Sequence, residues 1–249
     1  MKKRLDILLT ERGLAPSRER AKAMIMENKV LVNGLPIDKA GQTVDELSEI
    51  IIRETQAPFV SRGGLKLSHA LDEFKIDVTG KTVMDVGAST GGFTDCLLKR
   101  GAARVYAIDV GYGQLAWELR TDARVIPIER TNIRHLERER IPCAIDMAVI
   151  DVSFISLRLV LPEVLRFLSD DAVIVALIKP QFEVGKGEVG KGGIVREEGK
   201  RLRVVEEMKE FFSSSGLFVG GVCESPIKGQ KGNVEYFIHA ACRALRIKN

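Results

Sequence analysis

Apolar residues recur at two different periods along this chain, and the change of period divides it. Leu5, Leu8 and Leu9 fall at i, i+3 and i+4, the spacing of one helix face, and Gly13 supplies a stop. Ser17 stands at a helix-cap position, followed by Ala21, Met24 and Ile25 facing inward and Arg20 and Lys22 facing out. Val30-Leu-Val-Asn-Gly-Leu reads as a short strand turning at Asn33-Gly34, a strong hairpin signal, and Glu49-Ile-Ile-Ile-Arg-Glu as a second strand. Thr55-Gln-Ala-Pro-Phe is polar, proline-bearing and non-periodic. The expected organisation is a small α+β domain over residues 1–55, a linker over 56–60 and a larger domain over 61–249.

Beyond the linker, short apolar runs alternate with helical stretches. The strand candidates are Thr82–Gly87, Arg104–Asp109, Arg124–Glu129, Ile145–Asp151, Ala172–Lys179, Leu217–Glu224 and Asn233–Ala240. Helical stretches separate the first six, and only a short Pro/Gly-rich turn separates the last two. This predicts an α/β fold: a doubly wound, Rossmann-like and mostly parallel seven-stranded sheet whose last strand is antiparallel.

Composition narrows the classes. The chain of 249 residues, 45% hydrophobic and 29% charged, has material for a sizeable core. Its longest unbroken apolar run, Ala172–Ile178, is far below the roughly 20 residues a bilayer span needs. The basic start is not followed by an apolar stretch and a small-residue cleavage site, so a secretory signal is not expected. The four cysteines and three histidines are scattered without metal-ligand spacing. No metal site or disulfide framework is expected, and the chain reads as cytoplasmic. The net charge of +4 conceals an asymmetry: residues 1–30 carry eight basic against four acidic side chains, residues 31–60 two against five. The concentrated positive charge points to a nucleic-acid contact, with Arg4, Arg18, Arg20 and Lys22 as candidates and Arg62 added at the start of the second domain.

Val83-Met-Asp85-Val-Gly87-Ala-Ser89-Thr-Gly91-Gly92-Phe93 is a strand entering a glycine-rich turn and then a helix, where backbone can approach a ligand closely. Asp109 ends the next strand, where an acid typically holds ribose hydroxyls, and Asn132 follows the third, where a polar side chain can meet an adenine. NAD and S-adenosylmethionine both fit this pattern. Asp85 inside the turn favours the methyl donor, whose amino-acid end is cationic and which has no pyrophosphate. Asp85, Gly87, Ser89, Gly91, Gly92, Asp109 and Asn132 are the expected cofactor-binding residues. Gly185-Lys-Gly-Glu-Val-Gly-Lys-Gly192 nearly matches a phosphate-binding loop, but Gly192 has no hydroxyl to hold magnesium. A mobile basic loop beside the active site fits better than a nucleotide triphosphatase.

Four charged residues are expected to converge: Lys66 on the helix opening the second domain, Asp151 closing the fourth strand, Lys179 closing the fifth, and Glu235 in the last. In open parallel sheets, ligands bind beyond the carboxyl ends of the strands. A desolvated Lys179 beside Lys66 would have a lowered pKa and could act as a base, with Asp151 orienting its amine and Lys66 and Glu235 positioning a hydroxyl.

The offsets of Arg4-Leu-Asp, Ser17-Arg, Lys29-Val and Val32-Asn-Gly resemble the RNA-binding domain of ribosomal protein S4, with Asn28 where many members have glycine. Asp85-x-Gly-x-Ser-x-Gly-Gly resembles the first motif of class I methyltransferases, and the Lys-Asp-Lys-Glu set resembles the tetrad of FtsJ-like RNA ribose methyltransferases. Together with Ser61-Arg-Gly-Gly-Leu-Lys-Leu, Asp109-Val-Gly-Tyr-Gly-Gln-Leu-Ala-Trp, Asp151-Val-Ser-Phe-Ile-Ser-Leu, Lys179-Pro-Gln-Phe-Glu and Gly232-Asn-Val-Glu-Tyr-Phe, nearly the whole chain resembles the TlyA family, often labelled hemolysin A. The resemblance implies S-adenosylmethionine-dependent 2'-O-methylation of cytidine in bacterial ribosomal RNA, with free RNA or a ribosomal subunit as the partner and no membrane. Members with short ends, as this chain has, are associated with the large-subunit RNA, and longer ones also modify the small subunit. The competing expectations are a membrane-active hemolysin and a non-catalytic protein that binds S-adenosylmethionine and RNA.

Overall fold

The computed structural model describes residues 2–26, 29–39, 41–52, 58–185, 187–190, 192–229 and 232–242. The chain forms two compact units, Met1–Ala57 and Pro58–Asn249. Asn28 and the linker positions before Pro58 lie outside the described residues.

In the first unit, β1 (Lys2–Arg4) leads into α1 (Leu5–Glu11) and α2 (Arg18–Met26), followed by β2 (Val30–Val32), β3 (Leu35–Pro36), β4 (Thr43–Asp45) and β5 (Ile50–Ile52). Leu5, Leu9 and Ile25 are fully buried against Val30, so the helical spacing of the leucines does place them on one inward face. The Ser17 hydroxyl accepts from the Arg20 N–H at 3.2 Å, capping α2. Asn33 and Gly34 both have positive φ, 50° and 79°, the backbone a two-residue hairpin demands. β5 pairs with β2 on the side opposite β3. The β1–β4 pair was not anticipated: each strand is three residues long with one inward position, too short for alternation to register.

The second unit runs α3 (Arg62–Glu73), β6 (Thr82–Val86), α4 (Gly92–Lys99), β7 (Arg104–Ile108), α5 (Trp117–Arg120), β8 (Val125–Ile128), β9 (Ile145–Ile150), α6 (Leu157–Leu165), β10 (Leu168–Ile178), α7 (Pro180–Glu183), α8 (Glu198–Ser214), β11 (Phe218–Glu224) and β12 (Tyr236–Ala241). The sheet order is β11-β12-β10-β9-β6-β7-β8, parallel except for β12, which is antiparallel to both neighbours. This is the expected seven-stranded architecture. Helices α3 and α4 cover one face and α6 and α8 the other. One crossover departs from expectation. Between β8 and β9 the chain makes two short 3-10 turns, Ile133–His135 and Arg138–Arg140, instead of a helix. That stretch is crowded with charge and interrupted by Pro142, and its buried Ile133, Leu136 and Ile141 suffice to dock it on the sheet.

Pro58–Val60, read from the sequence as the end of a linker, are fastened to the second unit. The Val60 N–H donates to Asp95 at 2.9 Å, Lys99 donates to the Pro58 carbonyl at 2.8 Å, and Phe59 packs on Gly64.

Candidate active site

The chain leaves β6 for the outer strands β7 and β8, then crosses to β9 on the other side, so a crevice opens between the carboxyl ends of β6 and β9. Two adjoining clefts occupy it. The smaller, about 330 Å³, is walled by residues that include Arg62, Lys66, Ser89, Asp151, Lys179 and Glu235. The larger, about 530 Å³, runs past Asp109, Gln114, Asn132 and Ile133. Gly87, Ser89, Asp151, Ser153 and Phe154 border both.

Strand direction explains how four residues distant in sequence meet. Asp151 and Lys179 follow the last residues of β9 and β10, so both emerge at the carboxyl edge. Glu235 immediately precedes β12, and because β12 is antiparallel its beginning lies at that same edge. Lys66, on the first turns of α3, completes the set. The charges form two pairs. Lys66 Nζ donates to Glu235 Oε2 at 2.6 Å, with Glu235 only 2% exposed. Lys179 Nζ lies 2.6 Å from Asp151 Oδ1 in a charge contact and directs a hydrogen bond to Ser153 Oγ at 2.9 Å. A side chain at Gly229 would collide with Glu235, so glycine there lets the loop close over the carboxylate.

The glycine turn is shaped by contact as well as by dihedral freedom. Gly87 has φ 90°, and a Cβ there would strike the backbone carbonyl of Asp151, so the β6 turn and the β9 end are in direct contact. Asp109 stiffens the turn: its Oδ2 accepts from the Ser89 N–H at 2.8 Å and its Oδ1 from the Gly111 N–H at 2.6 Å. Asp109 lines the larger cleft, and each of its oxygens can accept a further hydrogen bond. Asn132 borders that cleft while its Oδ1 accepts from the Arg134 N–H at 3.0 Å.

Two residues expected to touch the cofactor stand behind the wall. Alternation along β6 sends Val83 and Asp85 to the α4 side and Met84 and Val86 to the other. Asp85 is therefore fully buried, its Oδ2 accepting from the Thr94 hydroxyl at 2.6 Å and its Oδ1 without a partner among the described residues. Burial pushes its carboxyl up to about 7. Gly91, with φ 94°, caps α4 and packs on Leu115 and Leu119, while Gly92 borders the smaller cleft.

Sequence reasoning missed several neighbours. Ser153 holds Lys179. Phe154 is 88% exposed, has φ 64° and faces Phe182 with ring centroids 5.1 Å apart. Glu183, whose carboxyl burial pushes up, bridges to Ser156 and Leu157. The signal available was two phenylalanines set among polar residues just past two strand ends.

Among the expected RNA contacts, Arg62 is exposed at the rim of the smaller cleft. Arg20 is exposed and Lys22 half-buried, and neither makes an ion pair among the described residues. Arg4 and Arg18 instead converge on Asp6, which is fully buried: Arg4 grips both its oxygens at 3.0 Å and Arg18 donates at 3.1 Å. Both guanidiniums remain nearly half exposed, so their structural work leaves an outer edge available. In the Gly185–Gly192 loop, Lys186 and Lys191 lie outside the described residues, and Glu188 is held by Arg203 of α8.

The clefts suit S-adenosylmethionine. Glycine at 87 keeps the shared wall open, acids stand at Asp85, Asp109 and Asp151, and apolar Ile108, Ile133 and Val160 line the larger cleft beside Asn132. An unpartnered buried carboxylate oxygen behind the turn also favours a cationic ligand over a pyrophosphate.

Comparison with known proteins agrees with this geometry. The FtsJ-like methyltransferase family matches residues 59–242, and the S4 domain matches residues 3–50. The 16S/23S rRNA (cytidine-2'-O)-methyltransferase TlyA of Mycobacterium tuberculosis is 49% identical over 236 residues, covering 94% of this chain and 88% of that protein. Hemolysin A of Brachyspira hyodysenteriae is 40% identical, covering 95% and 98%. A solved structure from Streptococcus thermophilus, carrying a hemolysin label, superposes with a TM-score of 0.76 at 43% identity, covering 96% of this chain and 88% of that one. The chain belongs to the FtsJ-like methyltransferase family, in the branch of TlyA and hemolysin A, with an S4 domain preceding the methyltransferase domain.

Proposed function

We propose that this protein transfers a methyl group from S-adenosylmethionine to the ribose 2'-hydroxyl of a cytidine in ribosomal RNA. The observation that carries this reading is the pair of lysine–carboxylate contacts, Lys66–Glu235 and Lys179–Asp151, in a cleft that opens onto a second cleft of cofactor size. When bound in the larger cleft, the cofactor supplies an electrophilic methyl on a cationic sulfur. Asp109 would hold its ribose and Asn132 its base, with Asp85 behind the turn drawn toward its charged form by the cationic end.

The remaining steps belong to the chain's own groups. Lys179, held by Asp151 and Ser153, would act through its neutral amine, taking the proton of the acceptor hydroxyl as the methyl carbon exchanges its bond to sulfur for a bond to that oxygen and the sulfur leaves as a neutral thioether. Lys66, held by Glu235, positions the same oxygen from the α3 side. Much of the acceleration comes from alignment, because the two clefts share the wall Gly87–Ser89 and Asp151–Phe154. The Phe154 and Phe182 rings offer an apolar face on which a base turned out of its stack can lie. The first unit, through Arg20 and Lys22, which make no ion pair among the described residues, supplies phosphate contacts, as does Arg62 at the cleft rim. An RNA substrate of this kind puts the protein in the cytoplasm.

No observation favours a membrane-active reading: among the described residues no helix is long and apolar enough to cross a membrane. The decisive experiment is mass-spectrometric mapping of ribose methylation in ribosomal RNA from cells with and without the protein. A 2'-O-methylcytidine that depends on the protein, and disappears in Lys179→Ala, is the expected result. No protein-dependent methyl group would overturn the proposal, and the map also names the subunit.

A further inference from the structure

We infer that Glu183 is the positioning residue that locks the two catalytic loops together. The inference rests on the methyltransferase reading above and adds a residue outside the tetrad.

Lys179 and Asp151 sit on separate loops, one leading from β10 into α7 and the other from β9 into α6. Glu183 ends α7, one turn beyond Lys179, and its carboxylate crosses to the other loop. Ser156 Oγ donates to Oε2 at 2.5 Å, and the Leu157 N–H donates to Oε1 at 2.8 Å. Leu157 is the first residue of α6, so the carboxylate also sits where the free N–H groups of a helix start favour negative charge. Ser156 in turn accepts from the Arg158 N–H at 3.1 Å.

These bonds close a ring. From Lys179 it passes to Ser153 through the 2.9 Å hydrogen bond and along Phe154–Ser156. It then crosses to Glu183 and returns through Phe182, whose ring faces Phe154. Phe154 holds φ 64°, a conformation an aromatic residue keeps only where its surroundings enforce it, and the Glu183 clasp lies two residues away. Without the clasp, the loop is free to relax at Phe154. Ser153 and the Asp151 side chain then move relative to Lys179, while the backbone contact of Gly87 with Asp151 and the Asp109–Asn132 side of the larger cleft remain. A displacement of this size acts on the chemical step, since transfer depends on ångström-scale alignment.

The experiment measures methylation of a ribosomal RNA substrate by the full-length protein carrying Glu183→Ala, Glu183→Gln or Ser156→Ala, with cofactor affinity measured by calorimetry. Glu183→Ala is expected to lower kcat roughly ten- to a hundred-fold, with the KM for RNA and the cofactor Kd within about two-fold of the parent. Glu183→Gln, whose amide can accept from Leu157 and donate to Ser156, is expected to restore kcat to within about three-fold. If Glu183→Ala does not fold, Ser156→Ala carries the test, with an expected kcat loss of about three- to ten-fold. The inference is overturned if a folded Glu183→Ala keeps the parental kcat, if its defect lies in RNA KM alone, or if Glu183→Gln is equally impaired. Absence of methylation by the parent protein would instead overturn the methyltransferase reading itself.

Discussion

Two buried aspartates carry opposite pH signatures, and each follows from its partners. Asp6 receives hydrogen bonds from Arg4 and Arg18, which hold its carboxyl below the usual range. Its contribution is present above the unfolded pKa and is lost as pH falls through the folded value. Asp85 has the Thr94 hydroxyl and, among the described residues, no cation, so burial raises it from 3.8 to about 7. Between those values the unfolded chain releases a proton that the folded chain retains, so stability declines as pH rises from about 4 to 7, by at most ~4 kcal/mol. Asp85→Asn should therefore melt higher than the parent at pH 8, with the advantage shrinking toward pH 4, while binding S-adenosylmethionine more weakly. Melting curves across that range check the first part and calorimetry the second. Equal destabilisation at both ends would show that the charge is not the source of the effect. Asp6→Ala should cost about 2–3 kcal/mol in the first unit by leaving two guanidiniums without their shared acceptor. The sequence made Asp85 visible as a chemical group but obscured its depth. Alternation with Val83 was the clue that it points into the α4 layer. Ser153, Phe154 and Glu183 were not legible, because their meaning comes from partners 26 to 28 positions away.

Among the elements, legibility followed length and burial. The strands of the larger sheet, four to eleven residues long and mostly buried, announce themselves as apolar runs, and their helix-separated order carries the parallel topology. β1 and β4 have one inward residue each, and the β8–β9 crossover is held by three scattered apolar side chains, so none of these had a period to read. The β6–α4 turn was legible in composition, yet the reason for its first glycine is tertiary: Gly87 faces the Asp151 carbonyl. Gly87→Ala must pay for a left-handed backbone, about 1–2 kcal/mol, and also push β9's end away from β6. We expect at least a ten-fold loss of cofactor affinity, together with a lower melting temperature, from calorimetry and thermal unfolding. Unchanged affinity would mean that this turn is not part of the cofactor wall.

For the whole molecule, the positive charge of the first thirty residues overstates what is available to RNA. Arg4 and Arg18 hold Asp6, Lys3 pairs with Glu11 at 2.6 Å, and Arg12 donates to backbone carbonyls at Ser48 and Glu46. Arg20 and Lys22 on α2 carry charge that no acidic side chain among the described residues offsets. A phosphate contact releases counterions, so removing one should lower the salt slope of RNA affinity by about 0.7 to 0.9. Replacing Arg20 and Lys22 together by alanine should therefore reduce that slope by about 1.4 to 1.8 and weaken RNA binding at low salt. The cofactor Kd and the turnover at saturating RNA should stay at parental values, because every tetrad residue lies in the second unit. Arg18→Ala is a poorer probe, since it also loosens the Asp6 clamp and would lower stability along with binding. Binding titrations between 50 and 200 mM salt provide the measurement, a range over which a few phosphate contacts change affinity many-fold. If the double replacement left the slope unchanged, RNA would have to be gripped elsewhere, with Arg62 at the cleft rim the next residue to test.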